Sequence, residues 1–283
     1  MKPTKKEITS AADILFRCHM IGSIIPAEAA RVKFTQEAMD KMIQIYNFSA
    51  HNRREEIKSK YLEKGNEREE DNLTLISRVT KTVFNKNEDR LENKWISGVP
   101  DTYLGKAIRE ALETIDVKTS WSKNTFDSAR VKALDKDYVW QGHGYMGLTG
   151  AKQHRVYFGL VNGTAKLILD EKRKEQWRLG ILDPYTKPAG PHEIKLFERY
   201  KNKCQQVEIN HIFDVKEFQQ ENPGFDFDND LTKWEWDIPM KYRLHQFVIK
   251  RDDAAIARMY ARVEECRVWM DETLLKFPEI LAA

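Results

Sequence analysis

The sequence predicts an α/β fold of the α+β kind: a central mixed β-sheet flanked by helices, with an N-terminal helical segment and a closing C-terminal helix. Three observations lead there. A charged helical periodicity through residues 53–78 gives way to three strand-like segments in close succession, the pattern of a meander beside a helix. A helix at 135–149 is followed at once by a fourth apolar strand at 155–162. Finally, a strand at 242–250 runs into a long amphipathic helix at 252–276. Nothing in this order demands a second domain. The chain is therefore read as one domain, 1–283, with a helical segment over 1–52, the core over 53–162 and a C-terminal elaboration over 163–283.

Composition narrows the function classes. Of the 283 residues 41% are hydrophobic and 11% aromatic, enough for a buried core, while 32% are charged. The net charge is only +3, so wholesale coating of nucleic acid is excluded and any DNA contact must come from local Lys and Arg patches. Cys18, Cys204 and Cys266 are widely separated and form no CxxC pair, which argues against disulfides, a zinc knuckle or an iron–sulfur cluster and for a reducing cytoplasm. Lys2, Lys5 and Lys6 precede a stretch interrupted by Asp13, Arg17 and His19, so neither a signal peptide nor a membrane span is expected.

In chain order, residues 1–50 read as helical. Arg17, within Phe16-Arg17-Cys18-His19, is either a phosphate ligand near a helix end or an ordinary surface arginine. The helix from Arg53 to Arg78 carries a stripe Leu62, Gly65, Glu69, Leu73 and Ile76 at spacings of 3, 4, 4 and 3, read as its buried face. Glu69 on that stripe is either a carboxylate paired with a buried cation or a metal ligand. Strands are expected over Val79–Phe84, Lys94–Leu104 and Glu113–Ser120. Next comes Trp121-Ser122-Lys123-Asn124-Thr125-Phe126, which either stacks a base on Trp121 and touches phosphate through Lys123, or caps the following helix through Asn124 or Thr125. Within 135–149, Gln141 and Tyr145 form an i, i+4 pair able to bond a common target. Gly142 and Gly144 cost that helix about 1 kcal/mol each relative to Ala, which close backbone approach to another strand or to DNA would compensate. The basic run Lys166, Lys172, Arg173, Lys174 and Arg178 is either a solvated helix face or the border of a DNA channel. Asp226-Phe227-Asp228-Asn229-Asp230 fails as a calcium loop, since the sixth position is Leu231 rather than Gly. Its alternating Phe225 and Phe227 suggest a strand.

The chemistry gathers in Gly98–Lys118. On an extended strand Asp116 and Lys118 share one face and Ile115 and Val117 the other. Asp101 follows Pro100, which cannot donate to a ladder and so suits a strand edge or bulge that re-aims the next side chain. Two acids and a lysine are thereby positioned to converge.

The ordered set Gly65-x-x-x-Glu69, Gly98-Val99-Pro100-Asp101, Ile115-Asp116-Val117-Lys118-Thr119 and Gln141-x-x-x-Tyr145 resembles the PD-(D/E)XK nuclease superfamily, and within it the phage lambda-exonuclease and RecB-like (YqaJ-type) branch. The likeness covers roughly residues 60–162. It implies a restriction-endonuclease-like core in which Glu69, Asp101, Asp116 and the Val117 carbonyl hold magnesium or manganese. Lys118 would orient or deprotonate the attacking water, with a pKa lowered by the metal, and Gln141 and Tyr145 would support the site or contact the DNA backbone. The charges are consistent with this: carboxylates about 4 Å apart repel by about 4 kcal/mol per pair at an effective dielectric near 20, so clustered acids resist ionising together without a cation. The chain departs from the lambda-like pattern in carrying Asp rather than Glu at 116, and from the iron–sulfur nucleases in lacking their cysteines. The activity implied is a magnesium-dependent exonuclease acting 5′→3′ on the ends of linear duplex DNA in phage recombination. A single-strand annealing recombinase as partner, a homo-oligomeric ring and a bacterial cytoplasm come with it. A PD-(D/E)XK endonuclease and a non-catalytic DNA-binding module stand as the alternatives.

Overall fold

In a computed structural model the chain is described over residues 10–26, 32–53 and 59–276. The parts of the expected helices that fall on 1–9, 27–31 and 54–58 lie outside that range. In order, the elements are β1 (Phe16–Arg17), α1 (Ile21–Ile24), α2 (Gln36–His51), α3 (Lys60–Glu67), α4 (Glu69–Thr80), β2 (Asn85–Lys86), β3 (Leu91–Glu92), β4 (Ile96–Gly98), β5 (Thr102–Leu104) and β6 (Glu113–Thr119). There follow α5 (Lys123–Val131), α6 (Lys136–Thr149), β7 (Gln153–Gly159), α7 (Ala165–Arg178), α8 (Pro191–His211), α9 (Val215–Glu221), β8 (Leu244–Lys250) and α10 (Asp253–Thr273).

The central sheet has the order β2-β5-β6-β7-β8 and is mixed, since only β6 and β7 run parallel. A parallel pair needs a crossover, and α5 with α6 supplies it. Alternation along β6 separates two packing faces. Ile115 and Val117 meet Ile76 of α4 and Tyr157 of β7. The opposite face, with Val156 and Ile249, packs on Tyr145 and Met146 of α6 and on Ile256 and Met259 of α10, in the core that also buries Phe16, Met42 and Ile96. This is the helix-flanked mixed sheet expected, with a restriction-endonuclease-like α/β core.

Close approaches explain three glycines. A Cβ on Gly142 would stand 2.7 Å from His154 Cδ2, and one on Gly144 2.8 Å from Cys18 Sγ, so α6 presses on the protein's own core. At Gly159 a Cβ would overlap Asn72 Oδ1 at 1.5 Å, and Asn72 there donates to Thr119 Oγ1 at 2.8 Å, locking α4 onto the sheet.

Several elements differ from the sequence reading. No strand forms over Val79–Phe84: residues 79–80 continue α4, which is capped by Lys81 in the left-handed region (φ 57°), and the next strand, Asn85–Lys86, begins beyond the expected one. Lys94–Leu104 is two strands in two sheets: β4 joins β1 and β3, while β5 joins β6. The break falls at Pro100, which has no N–H to continue a ladder. The N-terminal segment is not wholly helical, because Phe16–Arg17 pairs in parallel with Ile96–Ser97. The helix expected over 53–78 is interrupted at Arg68 (φ −116°, ψ 15°), whose buried guanidinium bonds Asp71, Glu221 and the Gly163 carbonyl. Phe225 and Phe227 form no strand. They turn onto Phe218 of α9 with ring centroids at 5.0 and 5.8 Å, while Glu208 accepts from the N–H groups of Asp228 and Asn229. The basic run is a paired helix face: Lys172 is buried between Glu208 and Asp228, each at 2.6 Å, and Lys166, Arg173, Lys174 and Arg178 each meet an acid.

Candidate active site

Register brings the two aspartates together. β5 and β6 pair antiparallel with Thr102 opposite Ile115. Asp101 and Asp116 are the next residues beyond that pair on their two strands, and the Asp116 charge acts on the Asp101 carboxyl. Beyond that pairing, at the Pro100 break, the Val117 N–H donates to the Asp101 carboxylate, Oδ2 at 2.7 Å. The Pro-Asp and Asp-x-Lys segments thus form one local device: the ladder stops at Pro100, and the acid after it turns onto the neighbouring strand.

Asp101, Val117 and Lys118 line a cavity of about 460 Å³, together with Glu69, Gly65, Tyr61, Leu62, Thr119, Trp121, Tyr138 and Phe158. It opens at the carboxyl ends of the parallel strands β6 and β7, the customary ligand position in sheets of this kind. Asp116 lies behind Lys118, only 2% exposed, with its Oδ2 2.5 Å from the Lys118 ammonium. The helical face Leu62, Gly65 and Glu69 is real, but it faces this cavity and not the core. Leu62 is 53% exposed, and the buried positions on these helices are Lys64, Arg68, Asn72, Leu75 and Ile76. Glu69, expected to have a cationic partner or a metal, has no hydrogen-bond or ion-pair partner among the described residues.

The electrostatics are those of crowded acids. Burial first, and then the neighbouring Asp116, push the Asp101 carboxyl up to about 7 against the Val117 N–H and Lys118. For Lys118, burial works to lower its pKa, but contact with Asp116 and the nearby Asp101 outweigh this and raise it. Without a metal, the acids around the ammonium set this direction. The Tyr138 ring lies 5.1 Å from Lys118 Nζ.

The donor set suits a hard divalent cation. Asp116 Oδ2 is buried without a hydrogen-bond donor in good geometry, two carboxylates repel, and all the candidate ligands are oxygens. The three carboxylates do not form a ready-made cage, however. Among the described residues no three His, Cys, Asp or Glu side chains stand close enough to hold one ion. Asp101 is turned onto Val117, Asp116 onto Lys118, and Glu69 belongs to a different element of the cavity lining.

The other named residues divide. Gln141 and Tyr145 share no outside target: Gln141 donates to the Tyr145 hydroxyl at 2.9 Å, and that hydroxyl donates to the Val99 carbonyl at 3.2 Å. Both are buried, and through the Val99 carbonyl they brace the Val99-Pro100-Asp101 turn. Arg17 lies over the Phe48 ring at 4.9 Å and is not among the cavity-lining residues. Lys123 pairs with Asp127 and lines a separate hollow of about 200 Å³ on the far side of Trp121. Ser122, not Asn124 or Thr125, is the N-cap of α5, in a capping box with Thr125, so the helix starts earlier than expected.

Lys64, unmarked in the sequence, and His19, within the marked Phe16–His19 segment, also bear on the site. Lys64 is 1% exposed and donates to the carbonyls of Ser120 and Trp121 at 2.9 and 3.0 Å. His19 senses the site: the desolvation of its ring, then the cations Arg17, Lys41 and Lys118, lower its pKa against Asp116. Neither has a local signal, since both depend on elements distant in sequence.

No family model matches the chain, and no curated protein does. Among solved structures it is similar to a phage-related exonuclease from Haemophilus somnus, with 22% identity over 94% of this chain and 97% of the other and a TM-score of 0.62. It is also similar to an alkaline exonuclease from Laribacter hongkongensis, with 11% identity over 97% and 96% and a TM-score of 0.55. The same enzyme in complex with dAMP aligns with 13% identity over 96% and 95% and a TM-score of 0.53. At these identities the likeness shows a shared fold.

Proposed function

We propose that the protein is a magnesium- or manganese-dependent deoxyribonuclease, an exonuclease that degrades one strand of linear duplex DNA in the 5′→3′ direction to feed phage-type recombination. The observation that carries this reading is the single cleft shared by Glu69, Asp101, the Val117 backbone and Lys118, with the buried Asp116 against the lysine. The folds it resembles are titled as exonucleases, one of them bound to a nucleoside monophosphate, which supports DNA as the substrate. An annealing recombinase, ring assembly and a bacterial host cytoplasm belong to the same reading.

Asp101, Asp116, Glu69 and the Val117 carbonyl would hold the metal, which when bound polarises a phosphate and acidifies its water. Lys118, in ionic contact with Asp116, lines the cleft, where its charge would offset the negative charge that builds on a pentacoordinate phosphate. Gln141 and Tyr145 hold Val99, and through it the turn that aims Asp101, so the acid meets the strand at a fixed height. Val117 N–H fixes the orientation of the Asp101 carboxylate.

Incubation with magnesium and either linear or covalently closed duplex tests the reading. Linear DNA should be digested from its ends, with 5′-end label released first, and closed circles left intact. Lys118→Ala and Asp116→Ala should each abolish digestion in a folded protein. Cutting of closed circles points to an endonuclease, and undiminished activity in Lys118→Ala would place the site elsewhere.

A further inference from the structure

Two apolar side chains at the start of α3 are left open where a folded chain would ordinarily cover them: Tyr61 is 56% and Leu62 53% exposed. They do not face bulk solvent at random. Both line the cavity that holds Glu69, Asp101 and Lys118. Behind Tyr61 stands Trp121, with ring centroids 5.0 Å apart and planes at 70°. The pair is edge-to-face, and with Tyr61 more than half exposed much of its ring stays open to the cavity.

Trp121 is itself held from three sides. His211 of α8 packs against it at 4.9 Å and 73°, and Lys60 Nζ sits 4.5 Å from its ring centroid. From below, the buried Lys64 ammonium donates to both carbonyls of the Ser120–Trp121 turn. A fully buried lysine is uncommon, and here its whole hydrogen-bonding reach goes to fixing one turn that leaves β6 two residues after Lys118.

We infer that Tyr61, backed by Trp121, is a nucleobase-stacking subsite of this cleft, and that Lys64 is the positioning residue that fixes it; the inference rests on the nuclease reading and names what the cleft holds beside the phosphate. A base fits the chemistry better than an apolar peptide side chain does. The apolar surface is a flat ring and its neighbour Leu62, bordered by Thr119, Thr125 and Asn66, and it shares one cavity with the acids and lysine assigned to phosphate chemistry. The Lys60 ammonium, near both rings, favours an approaching polyanion even while it pairs with Glu171 at 3.3 Å. Stacking on such a ring tolerates any base, since each has a π-face.

The test is a cycle between protein and DNA. Affinity for a fluorescently end-labelled duplex is measured with calcium in place of magnesium, using intact DNA and DNA made abasic at each terminal position in turn. Tyr61→Ala, an exposed change, should weaken binding of intact DNA by roughly 10- to 100-fold, and one abasic position should weaken the unaltered protein similarly. The two together should cost no more than either alone, and Tyr61→Phe should restore binding. Lys64→Met should reproduce the loss and be equally insensitive to the missing base; a merely structural lysine would lower the melting temperature while leaving the abasic penalty intact. Unchanged affinity in Tyr61→Ala, or losses that add, overturns the subsite while the nuclease reading stands. A protein that neither binds nor digests DNA ends overturns both.

Discussion

Replacing Asp101 by Asn should remove a pH dependence of stability that the paired acids build into the folded chain. The carboxyl is raised from an ordinary 3.8 to about 7, first by burial and then by Asp116. The folded state therefore holds a proton that the unfolded chain has released between those values. By linkage, the stability this group contributes is fully present below about pH 4 and is lost as pH rises through about 7. A rise of that size corresponds to about 4 kcal/mol, an amount that belongs to the Asp101 and Asp116 pair rather than to one residue. Other carboxylates titrate too, so the informative quantity is a difference. Urea unfolding midpoints of the parent and of Asp101→Asn, both without divalent metal, are compared at about pH 5 and about pH 8. The parent should lose a few kcal/mol more than the variant on going to the higher pH, and magnesium should return stability to the parent alone. Asn keeps the side-chain size and an oxygen for the Val117 N–H, so a fold defect is not the expected outcome. Identical pH slopes in the two proteins would refute the argument that Asp101 and Asp116 are close and poorly solvated.

Gly159→Ala should shift α4 off the sheet, because its Cβ would overlap Asn72 Oδ1 at 1.5 Å; a loss of about 1–3 kcal/mol in thermal unfolding is expected, with partial recovery in the double change with Asn72→Ala. Tyr145→Phe deletes the hydroxyl between Gln141 and Val99 and leaves the buried Gln141 amide unpaired, which should cost about 1–3 kcal/mol in urea unfolding. The same variant should also lower digestion of linear DNA without abolishing it, since the residue acts through the turn that aims Asp101.

Much of the core was legible because its signals are local. Alternation along Glu113–Thr119, the capped helix at 136–149 and the final helix after the Asp252 cap follow from neighbours within a few residues, and the structure has them. The Pro-Asp break was legible as a ladder stop for the same reason. The misreadings have a common source. Periodicity reports that a helix has a distinct face but not what covers it, so Leu62, Gly65 and Glu69 were assigned to the core when they line a cleft. Apolar alternation at Phe225 and Phe227 looked like a strand, although a turn onto Phe218 buries the same rings.

What the sequence determined by itself was the class of fold and the order of a short set of polar residues along the chain. Only the tertiary structure decided their relations: that the Asp101 carboxyl lies within reach of the Asp116 charge, that Gln141 and Tyr145 bond each other and the Val99 carbonyl, and that Lys64 reaches across to hold the Ser120–Trp121 turn. Hydrogen-bond register, burial and charge proximity depend on segments separated by tens of residues. No local pattern encodes those distances; they arise when the sheet pairs and the helices close on its two faces.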